Sequence, residues 1–188
     1  MATISLCMIV KNEEEVLKRC LDSVYRAVDE VIIVDTGSTD KTKTVARQFT
    51  SKVYDFEWVN DFSAARNEAF SKATMDYQMW LDADDVLPPQ SMEALLALKE
   101  KLTPETDIVT MKYITHFDGD GNPILMSTRE RLLRREKNYQ WIDPIHECIP
   151  LIGAVMYTDI EIHHRKPPRA VSASTRNIDI YTAIEVSG

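Results

Sequence analysis

Several features that would place a chain in a familiar class are missing. The three cysteines, Cys7, Cys20 and Cys148, are odd in number and lack C-x-x-C spacing, which argues against a disulfide framework or a zinc site and for reduced, mostly buried thiols. No apolar run is long enough to span a bilayer: the longest, residues 149–157, is about half of the roughly 20 residues required, and Gly153 interrupts it. Residues 1–10 are apolar but have no basic lead and run straight into Lys11, Asn12 and three glutamates, so they read as a strand and not as a signal peptide. A cytoplasmic location is the corresponding expectation. Positive charge is also short, with 22 Lys and Arg against 30 Asp and Glu. The resulting net charge of -8 repels a phosphate backbone and argues against a nucleic-acid partner. Neither G-x-G-x-x-G nor G-x-x-x-x-G-K-[ST] occurs, so a glycine loop cannot be the cradle for any nucleotide.

What is present is a core and a pattern. The chain has 188 residues, 44% of them hydrophobic, enough for one well-packed domain. Residues 4–10 form a continuous β-prone run, followed by Asn12 as a candidate helix cap with Glu15 completing a capping box. Val16, Leu17, Cys20, Leu21, Val24 and Val28 then recur at helical spacing. The alternation continues with strands expected at 30–35, 52–56 and 77–81. Helices are expected around Val45 to Phe49, at 63–73 and at 89–102. Alternation of this kind predicts an α/β fold with a doubly wound, mostly parallel sheet, whose ligands lie at the carboxyl ends of the strands. The second half changes character. Residues 108–117 and 124–127 flank the hairpin-like turn 118–122, and further β-prone pieces at 139–142 and 155–163 make the sheet mixed. Asp118 to Asn122 has the opening of a calcium loop, but Pro123 and Arg129 stand where that loop needs Gly and Glu. A terminal helix is expected at 174–186, with Ile178, Tyr181 and Ile184 on one side.

The chemistry concentrates at strand ends. Asp82, Asp84 and Asp85 leave an apolar strand within four positions and would repel one another unless a divalent cation sat among them, which points to a metal-held diphosphate. The alternative is that these acids cap the turn into the next helix. Asp35 ends another strand beside Gly37, where an acid can accept hydrogen bonds from a ribose or a base N–H, while Ser38 and Asp40 read as ordinary caps. Trp58, Trp80 and Trp141 could stack on sugars, although core or loop packing is the simpler reading. The run Arg129, Arg131, Arg134 and Arg135 beside Lys137 could contact an acidic acceptor, but a charge run is more often a solvated face, and it stays unassigned.

Four blocks resemble the inverting glycosyltransferases of family 2, which have the GT-A fold. They are Ile4 to Glu13, Val31 to Asp40, Asp61 to Asn67, and Trp80 to Asp85, covering roughly residues 4–90 in the expected order. Later blocks, Ile145-His146-Glu147 and Ile160 to His164, look like a bacterial branch that includes tetratricopeptide-linked glycosyltransferases and glycocin peptide S-glycosyltransferases. The resemblance implies a nucleotide-sugar donor, usually a UDP-sugar, and Mn2+ or Mg2+. It places Lys11, Asn12, Glu13 and Asp35 around the base and ribose, and Arg66 near the base or diphosphate. Asp82 is then the first acid of a D-x-D motif, facing ribose or sugar, Asp84 the metal ligand, and Asp85 a helper through water. Glu147 matches the acid that commonly acts as general base, but the pair here is His146-Glu147, so the base lies between these two residues. His163 and His164 point to opposite faces of a strand. His164 is chosen as the second metal ligand, which tilts the preference toward manganese.

The implied organisation is a catalytic domain at 1–170 and a C-terminal helix at 171–188 that serves as a dimerisation element or begins a truncated extension. The acceptor, whether glycan, peptide or small molecule, is not legible in the residues. The competing readings are a nucleotidyltransferase and a non-catalytic nucleotide-sugar-binding module.

Overall fold

The computed structural model describes residues 1–166, so the helix expected at 174–186 lies outside the described residues. The described residues form eight strands, β1 (Ile4–Val10), β2 (Glu30–Asp35), β3 (Val53–Asp55), β4 (Tyr77–Trp80), β5 (Asp85–Val86), β6 (Ile108–Phe117), β7 (Pro123–Arg134) and β8 (Val155–His164). Four helices, α1 (Leu17–Val24), α2 (Thr42–Ala46), α3 (Phe62–Ser71) and α4 (Pro89–Lys101), alternate with the early strands.

One mixed sheet results, in the order β3-β2-β1-β4-β7-β6-β8-β5. The β3-β2-β1-β4 half is parallel, and β7 enters antiparallel to both β4 and β6. The chain moves outward from β1 to β2 and β3, then returns to the other side of β1 with β4. The crevice between the ends of β1 and β4 is therefore a topological switch point, where open α/β sheets bind ligands. Strand period decides the two layers. Ile4, Leu6 and Met8 of β1 pack with Leu17, Cys20, Leu21 and Val24 of α1 and with Leu95 of α4, whereas Cys7 faces Ala69 and Phe70 of α3. Cys7 and Cys20 are buried free thiols and Cys148 is exposed.

Local expectations fail in three places. Asn12 does not cap α1. It takes a left-handed conformation (φ 55°), and its Oδ1 accepts from the Thr39 N–H at 2.8 Å, which ties the loop after β1 to the loop after β2. The first turn of α1 is held instead by the Glu13 carbonyl, which accepts from the N–H groups of Val16 and Leu17. Residues 139–142 form no strand beyond a single bridge from Ile142 to Cys148, because Asn67 of α3 holds the backbone of Trp141 on both sides. Finally, β7 runs on to Arg134, which carries the arginine run into the sheet. Arg131 is completely buried and is not part of a solvated face. The 118–122 segment is a tight hairpin turn, with Asp118 Oδ1 accepting from the N–H groups of Asp120 and Asn122.

Candidate active site

A cleft of ≈ 500 Å³ opens at the switch point. Lys11 and Glu13 enter it from the loop after β1, Asp82 and Asp84 from the loop after β4, and Arg66 from α3. His146 and Glu147 close the far side.

That far wall is a loop pinned to the start of α3. Asp61 caps the helix by accepting from the Ala64 N–H at 2.9 Å. The Phe62 N–H then donates to the Pro144 carbonyl at 3.0 Å, and the Ser63 hydroxyl to the Asp143 carbonyl at 2.6 Å. Asp143 (φ 71°) and His146 (φ 55°) take left-handed conformations, which are costly for residues with a Cβ and are found where surrounding contacts enforce them. The turn presents Glu147 to Arg66.

Arg66 is the hub. Its guanidinium is buried beside the rings of Trp80 (5.0 Å to the centroid) and Trp141 (4.8 Å), which pack edge to face against each other, so both tryptophans are packing residues that also contact a cation. Nε donates to Glu147 Oε1 at 2.8 Å and Nη2 to Asp82 Oδ1 at 2.9 Å. Burial by itself would raise the Asp82 pKa, but the charges of Arg66 and Arg131 outweigh it and hold the carboxyl below its usual range. Asp84 shifts the other way: burial, with Asp82 and Asp85 close by, raises its pKa against the opposing pull of His164.

His164 ends β8, which pairs antiparallel with the two-residue strand β5, and so reaches the acid loop from the opposite edge of the sheet. Its Nδ1 is 3.3 Å from Asp84 Oδ1 and 3.1 Å from Asp85 Oδ1. Burial opposes the charged ring, yet the hydrogen bond to Asp85 and the charges of Asp84 and Asp85 raise the His164 pKa overall. His163, on the other face, pairs with Glu161 instead. Asp84, Asp85 and His164 offer two carboxylates and an imidazole whose ligand atoms lie within 4.8 Å of one another, a donor set suited to Mn2+ and, with less preference, Mg2+.

Not every expected residue lines the cleft. Asn12 is engaged with the loop after β2. Asp35 is fully buried at the end of β2, where its Oδ1 accepts from the Gly37 and Ser38 N–H groups at 3.0 and 2.8 Å. Its Oδ2 has no hydrogen-bond partner among the described residues, an exception that calls for a donor from elsewhere. Ser38 and Asp40 do not line the cleft and tie the loops together more than they cap: Ser38 accepts from the Asn12 N–H and Asp40 from the Glu14 N–H, both in the loop after β1, and Asp40 also accepts from the Thr42 N–H at the start of α2, whose N-cap is Lys41. Three residues outside the expected set join the site. Arg129 and Tyr113 line the cleft, and Arg131 lies beneath it. The i, i+2 spacing of Arg129 and Arg131 would have put both on one strand face, had the strand been extended past Ser127.

Comparison with known proteins agrees with this geometry. The family model "Glycosyl transferase family 2" matches residues 5–160. A TPR repeat-containing protein of Synechococcus elongatus is 39% identical over 150 residues, covering 79% of this chain and 36% of the relative. The glycosyltransferase SunS of Bacillus subtilis is 30% identical over 148 residues, covering 77% of this chain and 34% of the relative. The chain thus spans about a third of the length of these curated relatives. Among solved structures, S. aureus TarS 1-349 in complex with UDP superposes with a TM-score of 0.63 at 16% identity, covering 98% of this chain and 64% of TarS. Glucosyl-3-phosphoglycerate synthase of Mycobacterium tuberculosis, in complex with Mn2+, UDP and its product, superposes with a TM-score of 0.60 at 17% identity, covering 89% and 73%. From the family model spanning most of the sequence and the switch-point cleft in the sheet, the chain belongs to glycosyl transferase family 2 and has the GT-A fold.

Proposed function

We propose that this chain transfers a glycosyl group, with inversion, from a UDP-sugar to an acceptor in a reaction that depends on a divalent metal. One observation carries the reading: Asp82, Asp84, Arg66 and Glu147 meet in one cleft at the switch point, with His164 at its edge. The UDP and Mn2+ held by the structural neighbours support the donor class and the metal.

Asp84 and His164 would hold a divalent cation, which when bound would supply positive charge against the diphosphate in a protein that carries a net charge of -8. Arg66 adds a positive charge to the same wall, preorganised by its bonds to Glu147 and Asp82 and by packing against Trp80 and Trp141. Lys11 and Glu13 face the base and ribose from the cleft, while Asn12 and Asp35 stand behind them and fix the loops after β1 and β2. Asp82, steered by Arg66, faces the ribose or sugar. The acceptor's nucleophile attacks the anomeric carbon from the face opposite the diphosphate. Its proton passes to Glu147 Oε2, because Oε1 is committed to Arg66, and His146 stands next to it as the alternative base. The catalytic unit in this reading is residues 1–170, and the acceptor is a glycan, a peptide or a small molecule.

The experiment is thermal stabilisation by UDP with Mn2+, Mg2+ or chelator, on the natural chain and on Asp84→Ala. Stabilisation by UDP that needs the metal and disappears in Asp84→Ala supports the site. Equal stabilisation of both proteins with and without Mn2+ overturns it. A panel of UDP-sugars then identifies the donor, and slow release of free sugar to water separates a transferase from a module that only binds.

A further inference from the structure

Three arginines crowd one indole. The guanidinium of Arg131 stands 3.7 Å from the Trp80 ring centroid, that of Arg66 at 5.0 Å and that of Arg129 at 5.3 Å. Like charges gathered so closely repel unless each meets an anion. Two of them do. Arg66 binds Asp82 and Glu147 at 2.9 and 2.8 Å, and the fully buried Arg131 binds Asp85 at 3.2 Å. Arg129 differs. Its one ion pair among the described residues is with the adjacent Glu130 at 3.5 Å, longer than a good hydrogen bond, and its side chain is 36% exposed. It donates no hydrogen bond among the described residues, so its planar fork of N–H groups is open to the cleft that it lines.

The fold holds this arginine at the cleft. The Trp80 indole N–H donates to the Glu130 carbonyl at 2.6 Å, which fastens β7 to the end of β4 beside Arg129. The β6-β7 register slips between the pairs Val109–Leu132 and Thr110–Glu130, which leaves Arg131 as an extra residue of β7. Such irregularities re-aim side chains next to functional sites. Here Arg131 is turned down onto Asp85 and Arg129 lines the cleft above it.

Sheet order indicates which substrate Arg129 faces. Lys11 and Glu13 enter the cleft after β1, Asp82 and Asp84 enter after β4, and β7 with Arg129 is the next strand in the same direction. In the function proposed above, the nucleotide lies on the β1 side of the acids. Arg129 therefore stands on the other side, from which the acceptor approaches the anomeric carbon. An anion entering there crosses the field of a chain with net charge -8 and meets Asp84 and Glu147 in the cleft, so a local positive charge is needed to hold it.

We propose that Arg129 selects for an acceptor bearing a carboxylate or a phosphate, the two groups that its planar fork of donors matches. The inference rests on the glycosyltransferase reading, and small anions as probes let the two fail separately. The Nε–H signal of Arg129, identified by its loss in Arg129→Gln, is followed by 1H–15N correlation spectra while inorganic phosphate or acetate is added, with and without UDP and Mg2+. Saturable movement of that signal is expected with UDP and Mg2+ bound, and the tighter of the two anions tells a phosphate from a carboxylate. Arg129→Gln should weaken binding of the same anion, read from backbone signals of β7, about tenfold or more, the worth of a charge-assisted hydrogen bond. Arg129→Lys keeps the charge without the fork, covers the case in which Arg129→Gln does not fold, and should bind the anion with intermediate affinity. UDP affinity in the presence of Mg2+ should be the same in Arg129→Gln as in the natural chain. A loss of UDP affinity assigns Arg129 to the donor diphosphate and overturns the proposal. An Arg129 signal that neither anion moves to saturation also overturns it, as does a lowered melting temperature of Arg129→Gln with anion affinity unchanged, the mark of packing on Trp80 alone. A natural chain that binds the anion at Arg129 but binds no UDP defeats the glycosyltransferase reading and leaves the anion site standing.

Discussion

Arg66 binds Glu147 through Nε at 2.8 Å although 81 residues separate them, and Nη2 of the same guanidinium binds Asp82. One cation thus couples the wall that would hold the donor to the residue that would act on the acceptor. The coupling makes the role of Glu147 testable, since a glutamine keeps the oxygen that Arg66 uses and removes the basicity.

Glu147→Gln should bind UDP and Mn2+ as the natural chain does while kcat for transfer falls about 10²–10⁴-fold, the usual share of a general base. Donor titration and turnover on the same preparation check this. Unchanged turnover would move the base to His146 and leave Glu147 as the anchor of Arg66.

Arg66→Met should cost both stability and binding. It removes the ion-pair partner of Asp82 and of the half-buried Glu147, and breaking a buried ion pair from one side costs about 3–5 kcal/mol. Asp82 is 36% exposed at its side chain, so about 2–3 kcal/mol is expected here, read by urea denaturation.

Acid sensitivity should come in part from Glu30, at the end of the sheet away from the cleft. Burial by itself would raise its pKa, but hydrogen bonds from Lys52, Ser5 and Thr74 lower it to about 2. Its folded pKa lies below the ordinary value of 4.5, so its contribution is fully present above about pH 4.5 and is lost as pH falls toward 2. The contribution is about 3 kcal/mol. Thermal melting of Glu30→Gln should therefore show a flatter dependence on pH between about 5 and 2 than the natural chain.

Gly153→Ala should destabilise by about 2 kcal/mol or more. Gly153 has φ 139°, and a Cβ there would stand 2.6 Å from Asp107 Oδ2 and 2.9 Å from the Tyr139 hydroxyl. Those two groups tie down the strap before β8, through the Ala154 N–H and the Ile152 carbonyl. A lowered melting temperature with UDP affinity intact is the expected result.

The sequence by itself determined the parallel half of the sheet, because buried strands and amphipathic helices have distinct periods, and β1 begins and ends where its apolar run does. It also located the strand-end acids, and the family resemblance singled out Arg66 and His164, which the fold sets against Asp82 and beside Asp84. Only the tertiary structure decided what those groups do to one another. Asp85 meets Arg131 across 46 residues, and Arg66 meets Glu147 across 81, through pairings of β7 and through a loop fastened to α3 that no local pattern encodes. Periodicity reports which way a side chain points along its own element, whereas charge partners come from neighbours brought together by sheet order. Hence three acids that look mutually repulsive in the sequence become, in the fold, one paired with Arg66, one paired with Arg131, and one beside a histidine and open to the cleft.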